Sequence, residues 1–376
     1  MIYFDYGATT PIDEEVLNTY IKTQKQFFAN TSSTHKLGLA SNCMLEKATQ
    51  ETLEVLGLTG HNLVYTSNAT EANNLAIYGI AHRYPLEDNK KWRLITTKIE
   101  HPSVLEVFKD LEQEGFDVVF LDVNDQGIVD LEQLKNSLNK QTILVSIMWV
   151  NNIVGAIQPI KQILEMIQDY PKTFFHMDAV QGLCKVNPDF DLNLVDMFTM
   201  STHKIYGPKG IGFLAYRSTI QLSKRLFGSQ TQYGIKPGTI DLGLVVATCK
   251  TLKIYYSKTN EHYREVMHLN NYLRKQLQDI KSIRINSPIQ AAPYILNISI
   301  PSMNSETILH SLEAKDIYVS AGSACHSKAK KPEKTVMAMT NSLPISTSAV
   351  RISISHLTTI DEIDQLVKAL KEICYV

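Results

Sequence analysis

The chain has 376 residues and a formal net charge of −1, with 37 lysines and arginines against 38 aspartates and glutamates. Its length allows two domains or one large one, and its near-neutral balance argues against direct nucleic-acid binding, which needs clustered positive charge. Five scattered cysteines without a CxxC pair, no signal-peptide pattern and no apolar run of bilayer length predict a cytoplasmic protein with neither a metal site nor a membrane partner.

Short apolar runs alternate with amphipathic segments between about residues 62 and 217, which predicts strands separated by helices. The runs are residues 63–65, 94–97, 118–121, 143–148, 174–177, 197–200 and 212–216. Continuous apolar strands in this arrangement indicate an α/β fold with a mostly parallel seven-stranded sheet flanked by helices. Because ligands of such sheets bind beyond the carboxyl ends of the strands, we expect functional residues at those ends.

The pattern changes after about residue 256. A long amphipathic stretch, 260–280, is followed by four short predicted strands and two helices, with a loop between 319 and 350. The strands are residues 283–286, 294–300, 317–319 and 350–354, and the helices are residues 305–315 and 361–373. We therefore predict a smaller α+β domain, formed by residues 1–13 and 256–376, beside a large domain of residues 14–255.

Three polar segments follow strands of the predicted sheet. Residues 67–71, Ser-Asn-Ala-Thr-Glu, open a predicted helix at 69–84 and suit a phosphate, although a capped helix without a ligand has the same pattern. His101 precedes the helix start at Pro102 and can stack on a cofactor and move protons, or can simply cap the helix. Asn152 can reach a cofactor or a carboxylate, but asparagine is also common in turns.

Asp178 and Lys204 form the most informative pair. Each closes an apolar run, so each should lie at the end of a buried strand. A lysine beside apolar walls can lose its proton and form an imine, and an aspartate can keep a pyridine nitrogen protonated. Together they predict a pyridoxal phosphate (PLP) site, for which residues 67–71 would anchor the phosphate. His203 can also bind the phosphate, or can be a simple strand-end residue.

The smaller domain supplies two further candidates. Cys325 lies among small residues and precedes a basic run at 328–334, so it is either a nucleophilic thiol or a bystander loop cysteine. Arg351 lies on a predicted strand, where its planar guanidinium can bind an amino-acid carboxylate or form a surface ion pair.

These motifs resemble those of the IscS/NifS-type cysteine desulfurases, in the class V aminotransferase group, over nearly the whole chain. The matching segments are residues 5–11, 67–71, 100–101, 145–148, 151–152, 176–181, 201–210, 238–239 and 323–325. The resemblance implies a fold-type I PLP-dependent transferase that converts L-cysteine to L-alanine. It also implies that sulfur passes, as a Cys325 persulfide, to an acceptor protein of tRNA thiolation or iron–sulfur cluster assembly.

The resemblance also implies a role for each site residue. Lys204 would carry PLP as a Schiff base, Asp178 would pair with its ring nitrogen, and His101 would stack on the ring and act in acid–base catalysis. Cys325 would take the sulfur. Asn152 and Gln181 would contact the phenolic side of the cofactor, and Asn152 and Arg351 would bind the substrate. The residues that would bind the cofactor phosphate are Ala69, Thr70, Ser201, His203 and, from the partner subunit of a homodimer, Thr239.

Three residues differ from the pattern that is usual in the family, and they bear on the identity of the sulfur acceptor and on the structure of the loops. Ile153 stands where an acidic residue is usual, Lys236 replaces an arginine near Gly-Thr, and His326 stands where threonine is common. The chain ends without the extension that docks an iron–sulfur scaffold, which favours a tRNA-thiolating sulfurtransferase as acceptor. Two alternatives stay open: another class V enzyme, such as an aminotransferase or selenocysteine lyase, and a sulfur-trafficking scaffold without chemistry. Cys325 argues against an aminotransferase, because that reaction needs no thiol on a loop. The presence of Asp178, Lys204 and Cys325 together argues against a scaffold without chemistry.

Overall fold

A computed structural model describes residues 1–85, 91–321 and 331–374 of the chain. The helices within them are Glu14–Gln26 (α1), Lys36–Val55 (α2), Ala69–Ala81 (α3), Pro102–Glu114 (α4), Leu131–Ser137 (α5), Ile160–Ile167 (α6), Leu242–Ser257 (α7), Thr259–Gln278 (α8), Ser305–Glu313 (α9), Lys334–Thr340 (α10), Leu343–Thr347 (α11) and Ile360–Cys374 (α12). The strands are Ile2–Tyr3 (β1), His61–Thr66 (β2), Arg93–Thr97 (β3), Asp117–Leu121 (β4), Thr142–Ser146 (β5), Phe174–Asp178 (β6), Met197–Ser201 (β7), Gly212–Arg217 (β8), Arg284–Ile285 (β9), Ile295–Ser299 (β10), Ile317–Tyr318 (β11), Ser320–Ala321 (β12) and Ala349–Ser353 (β13).

The central sheet contains seven strands of the described chain, in the order β2-β8-β7-β6-β5-β3-β4. Strands β3 to β7 run parallel to one another, and β8 is antiparallel to both β2 and β7. Successive residues of β2 enter different apolar clusters, since Leu63 and Tyr65 pack in one and Val64 packs in another. Apolar side chains therefore cover both faces of the sheet. The predicted α/β fold with a mostly parallel seven-stranded sheet is confirmed.

The C-terminal part forms a second layer of structure. Strands β12, β13, β10 and β9 make a four-stranded antiparallel sheet, and β1 pairs in parallel with β11. Ile2 and Phe4 belong to the apolar cluster that α8, β10, β13 and α12 share. These contacts support a domain that joins residues 1–13 to residues 256–376, and the exact boundaries stay a prediction.

One detail of the prediction for this part was wrong. The stretch between residues 319 and 350, expected to be a loop, contains α10 and α11. Both helices are too short to give a recognisable apolar period, and α10 depends on Glu333, whose carboxylate accepts a hydrogen bond from the Val336 N–H at 2.7 Å. The strand expected at 317–319 is present as β11, and a further short strand, β12, follows it and pairs with a different partner.

None of the helices in the described ranges combines the length and the apolar character that a bilayer span requires.

Candidate active site

Strand ends of the central sheet meet the N-terminal segment and β13 around one cavity of about 300 Å³. Ten residues that the sequence predicted for the site line it: Ala69, Thr70, His101, Asn152, Asp178, Gln181, Ser201, His203, Lys204 and Arg351. Thr239 is exposed and does not line this cavity. Cys325 lies outside the described residues, which stop before it at Ala321 in β12.

Lys204 follows the end of β7 and reaches into the cavity toward the N-terminal segment. Its Nζ donates hydrogen bonds to the carbonyl oxygens of Gly7, at 2.9 Å, and Ala8, at 2.5 Å. Burial lowers the pKa of Lys204 to about 8, and the positive charge of Arg351 acts in the same direction. A lysine with such a pKa keeps an appreciable neutral fraction near neutral pH, so its amine can attack a carbonyl carbon.

Asp178 ends β6 and is 7% exposed. Its Oδ1 accepts a hydrogen bond from the Val180 N–H at 3.0 Å, and its Oδ2 accepts one from Nδ2 of Asn73 at 3.0 Å. The carboxylate is thereby fixed where it faces the cavity that Lys204 also lines. Asn73 was missed in the sequence, although a fully buried amide among the apolar residues of α3 is the signal that marks it.

His101 is the N-cap of α4, where its Nδ1 accepts the Ser103 N–H at 3.2 Å and lies 2.8 Å from Ser103 Oγ. Burial is the largest effect on the pKa of His101 and lowers it, while Asp178 acts in the opposite direction. Ser103 also lines the cavity but was not among the predicted site residues.

One corner of the cavity has the features of a phosphate site. Ala69 and Thr70 form the first turn of α3, whose free N–H groups and dipole attract an anion. Ser201 Oγ is buried and has no hydrogen-bond partner among the described residues. Burial lowers the pKa of His203 to about 4, so this ring is neutral near pH 7. An unpartnered buried hydroxyl beside a helix N-terminus fits the phosphate of PLP, which would supply the missing acceptor.

Another part of the cavity is built around Arg351. Its Nη1 donates to the Asn152 carbonyl oxygen at 2.9 Å, and its Nη2 donates to Asp5 Oδ1 at 2.8 Å. The guanidinium is therefore oriented from two sides, while its buried Nε has no partner among the described residues. Asp5 belongs to a segment that the sequence singled out, but its contact with Arg351 spans 346 positions and has no local signal.

Gln181 links the cavity to a second buried lysine. Its Nε2 donates to the Gly7 carbonyl oxygen at 2.9 Å, and its Oε1 accepts a hydrogen bond from Lys185 Nζ at 2.7 Å. Burial lowers the pKa of Lys185 to about 7. Lys185 was also missed in the sequence, where a lysine directly after an apolar Leu183-Cys184 pair is the available signal.

The segment that leads to Cys325 begins next to the arginine. Ser320 of β12 lies opposite Arg351 of β13 in the antiparallel register. The described chain therefore reaches the edge of the cavity only a few residues before Cys325. Among the residues that the structure describes, no group of histidine, cysteine and acidic side chains is arranged to hold a metal ion.

The chain matches the family model of the class-V aminotransferases over residues 2–366. It is 38% identical to a NifS/IcsS protein homolog of Lactobacillus delbrueckii subsp. bulgaricus, over 99% of this chain and 97% of the relative. It is 37% identical to the cysteine desulfurase IscS of Buchnera aphidicola subsp. Schizaphis graminum, over 98% of this chain and 91% of the relative. A solved NifS-like protein superposes with a TM-score of 0.91 and 30% identity, covering 100% of this chain and 99% of that structure.

Proposed function

The chain belongs to the class-V aminotransferase family and is a cysteine desulfurase of the NifS/IscS type, and we propose that it releases L-alanine from L-cysteine and keeps the sulfur on Cys325 as a persulfide. The observation that carries the proposal is the convergence of Lys204, Asp178 and Arg351 on one cavity, beside the strand that leads to Cys325. These groups supply an amine, a fixed carboxylate and a carboxylate-binding cation, which an amino-acid substrate requires.

Cysteine desulfurases of this family use PLP, which when bound withdraws electrons from the substrate's Cα. Ala69, Thr70, Ser201 and His203 would hold the phosphate of the cofactor, supported by the unpartnered Ser201 hydroxyl. The other positions would be Asp178 at the ring nitrogen, His101 at the ring face, Asn152 and Gln181 at the phenolic side and Lys204 at the aldehyde carbon. The partner subunit's Thr239 would complete the phosphate site of a homodimer.

The chain's own residues divide the chemistry among them. Arg351 binds the substrate carboxylate through its guanidinium, and Lys204, whose pKa is lowered to about 8, takes the proton from Cα. The Cys325 thiolate then attacks the substrate sulfur. A sulfur–sulfur bond forms as the bond between sulfur and Cβ breaks, and Cβ keeps the electron pair and gains a proton. Lys204 then returns to Cα the proton that it took, which completes alanine.

The partners of the reaction follow from the surface and the charge. Exposed Thr239 follows two exposed apolar side chains in the sequence, Phe227 and Tyr233, which supports a homodimer formed around this region. The near-zero net charge supports a sulfur-acceptor protein over direct RNA binding. We propose a tRNA-thiolating sulfurtransferase as this acceptor, with an iron–sulfur scaffold as the alternative. The four cysteines in the described ranges are free thiols, which supports a reducing, cytoplasmic setting.

The persulfide role is tested by Cys325→Ala. The variant should bind PLP normally and show its visible absorbance, but a persulfide should be absent by mass spectrometry, and sulfur transfer to acceptors should fall to background. Cys43→Ala removes another thiol, which is exposed in the structure, and should retain both properties. Persulfide formation at wild-type level in Cys325→Ala would refute this role.

A further inference from the structure

The hydrogen bonds at His101 determine which ring nitrogen carries the proton. The Ser103 backbone N–H points at Nδ1 over 3.2 Å, and a backbone N–H can only donate. Nδ1 must therefore accept, which requires that it has no hydrogen. Ser103 Oγ lies 2.8 Å from the same nitrogen, so a donated hydroxyl hydrogen strengthens this arrangement.

The direction of the Ser103 hydroxyl is set from the other side by Asn73. Nδ2 of Asn73 donates to Ser103 Oγ at 2.8 Å and to Asp178 Oδ2 at 3.0 Å, while Oδ1 of Asn73 accepts from the Thr199 hydroxyl at 2.5 Å. A flipped amide would place its oxygen against the Asp178 carboxylate, where two acceptors would repel each other. Ser103 Oγ therefore receives a hydrogen from Asn73 and has its own hydrogen free for Nδ1 of His101.

We propose that Asn73 and Ser103 are positioning residues that hold His101 as the neutral Nε2–H tautomer, so that this ring offers the substrate a hydrogen-bond donor and not a base. The inference rests on the proposed function, because it assigns a role within that same site. Hydrogen bonds connect Asp178 to Asn73, Asn73 to Ser103 and Ser103 to His101 without a gap, so the Asn73 amide and the Ser103 hydroxyl each have a partner on both sides.

This tautomer changes the role that the sequence predicted for His101. His101 was expected either to act in acid–base catalysis or to cap a helix, and the capping bond itself removes Nδ1 from proton transfer. Protonation of Nδ1 would set it against two donors, and burial independently lowers the pKa of His101. The ring can then donate from Nε2, while removal of the Cα proton belongs to Lys204.

The test is nitrogen NMR of the full-length enzyme loaded with PLP and labelled with ¹⁵N-histidine, with His101 assigned from a His101→Gln sample. We expect a protonated Nε2 and an unprotonated Nδ1 between pH 6 and 8. Ser103→Ala removes one donor to Nδ1 and should raise the pH midpoint of His101 titration by about 0.5 to 1 unit, whereas Ser103→Thr should restore it.

His35 is an internal reference in the same spectra. It caps α2 through Nδ1, which accepts the Gly38 N–H at 3.2 Å, but it is exposed, and its signals should be the same in all variants. A protonated Nδ1 of His101 in the wild type, or an unchanged titration in Ser103→Ala, would overturn the proposal. If Ser103→Ala does not fold, the wild-type spectrum decides alone. Alanine release from L-cysteine by the same sample is a separate measurement, whose absence would refute the proposed function and not the tautomer.

Discussion

On one side of the cavity, His101 and Asp178 are connected through Asn73 and Ser103 by hydrogen bonds between side chains of α3, α4 and β6. We call these four residues the hydrogen-bonded wall. All of them come from strand–helix units of the central sheet, so the elements that carry them are already packed together by the sheet itself. The wall depends on the geometry of a single structural unit.

Lys204 and Arg351 also line the cavity, and Gln181 connects it to the buried Lys185; we call these three cations the cationic wall. Lys204 donates to Gly7, and Arg351 is paired with Asp5, so this wall is complete only when the N-terminal segment lies across it. The positive charges of Lys204 and Arg351 both lower the pKa of Lys185, in addition to burial. The comparison shows that one wall is stabilised by hydrogen-bond donors and acceptors that match one another, whereas the other concentrates like charges that disfavour ionisation of its lysines.

The largest effect on the reaction is expected from a change at Arg351. Arg351→Lys keeps the positive charge but loses the planar fork that Asp5 and the Asn152 carbonyl orient. Since a hydrogen bond to a charged group contributes about 1.5 to 3 kcal/mol, we expect KM for L-cysteine to rise about tenfold to a hundredfold, with a smaller change in kcat.

Arg274→Lys is the matched control for steady-state kinetics. This arginine is also partly buried and donates to carbonyl oxygens, those of Ser287 and Pro288, but it does not line the cavity. Its replacement should leave KM unchanged. An unchanged KM in Arg351→Lys as well would mean that the cationic wall does not bind the substrate carboxylate.

A second prediction concerns the pH response of the cationic wall. Burial lowers the pKa of Lys185 from 10.5 to about 7, so between these values the unfolded chain holds a proton that the folded chain has lost. Lys185 therefore makes the free energy of unfolding rise with pH in that interval, by about 1.4 kcal/mol per pH unit. Below pH 7 the buried lysine is charged in the folded chain, and its destabilising effect is at its maximum. Lys185→Met should be more stable than the wild type below pH 7, and the difference should shrink toward pH 10.

Chemical unfolding of both proteins from pH 6 to 9 measures this difference. Lys172→Met replaces an exposed lysine and should follow the wild type throughout. If Lys185→Met is less stable than the wild type at every pH, the hydrogen bond from Lys185 to Gln181 outweighs the cost of burying its charge.

The sequence could predict the strand ends of both walls, because an apolar run that stops at Asp178 or before Lys204 marks a buried strand and its carboxyl end. It could not predict which side chains meet there. Asn73 and Asp178 are 105 positions apart, and Asp5 and Arg351 are 346 apart, so only the folded sheet brings them together. The resemblance to a family predicts the reacting groups but not the residues that orient them. Orientation depends on individual hydrogen bonds, which leave little trace in hydrophobic periodicity.

The smaller of the two effects on stability at neutral pH is expected at Glu100, which contacts none of the four residues of the hydrogen-bonded wall by a hydrogen bond. Its Oε1 accepts hydrogen bonds from the Thr97 hydroxyl, at 2.8 Å, and from the Met148 N–H, at 3.0 Å. Burial raises the pKa of Glu100 from 4.5 to about 8, and the charge of Asp178 adds to this. In this interval the folded chain holds a proton that the unfolded chain has lost. The contribution of Glu100 to stability is therefore complete below pH 4.5 and is lost as pH rises to about 8, by about 1.4 kcal/mol per unit.

Glu100→Gln removes this ionisation, so the variant should lose stability less steeply than the wild type between pH 5 and 8, and Glu112→Gln, at an exposed position of α4, should not. Glu100→Gln should therefore remove a fall of the free energy of unfolding with pH, whereas Lys185→Met should remove a rise. The effect at pH 7 is smaller because only part of the interval from 4.5 to 8 has been crossed. Unfolding of Glu100→Gln and Lys185→Met, measured over the same pH range, therefore tests whether the two walls respond differently to charge. Slopes that change in the same direction would mean that the two walls do not differ in how they respond to charge.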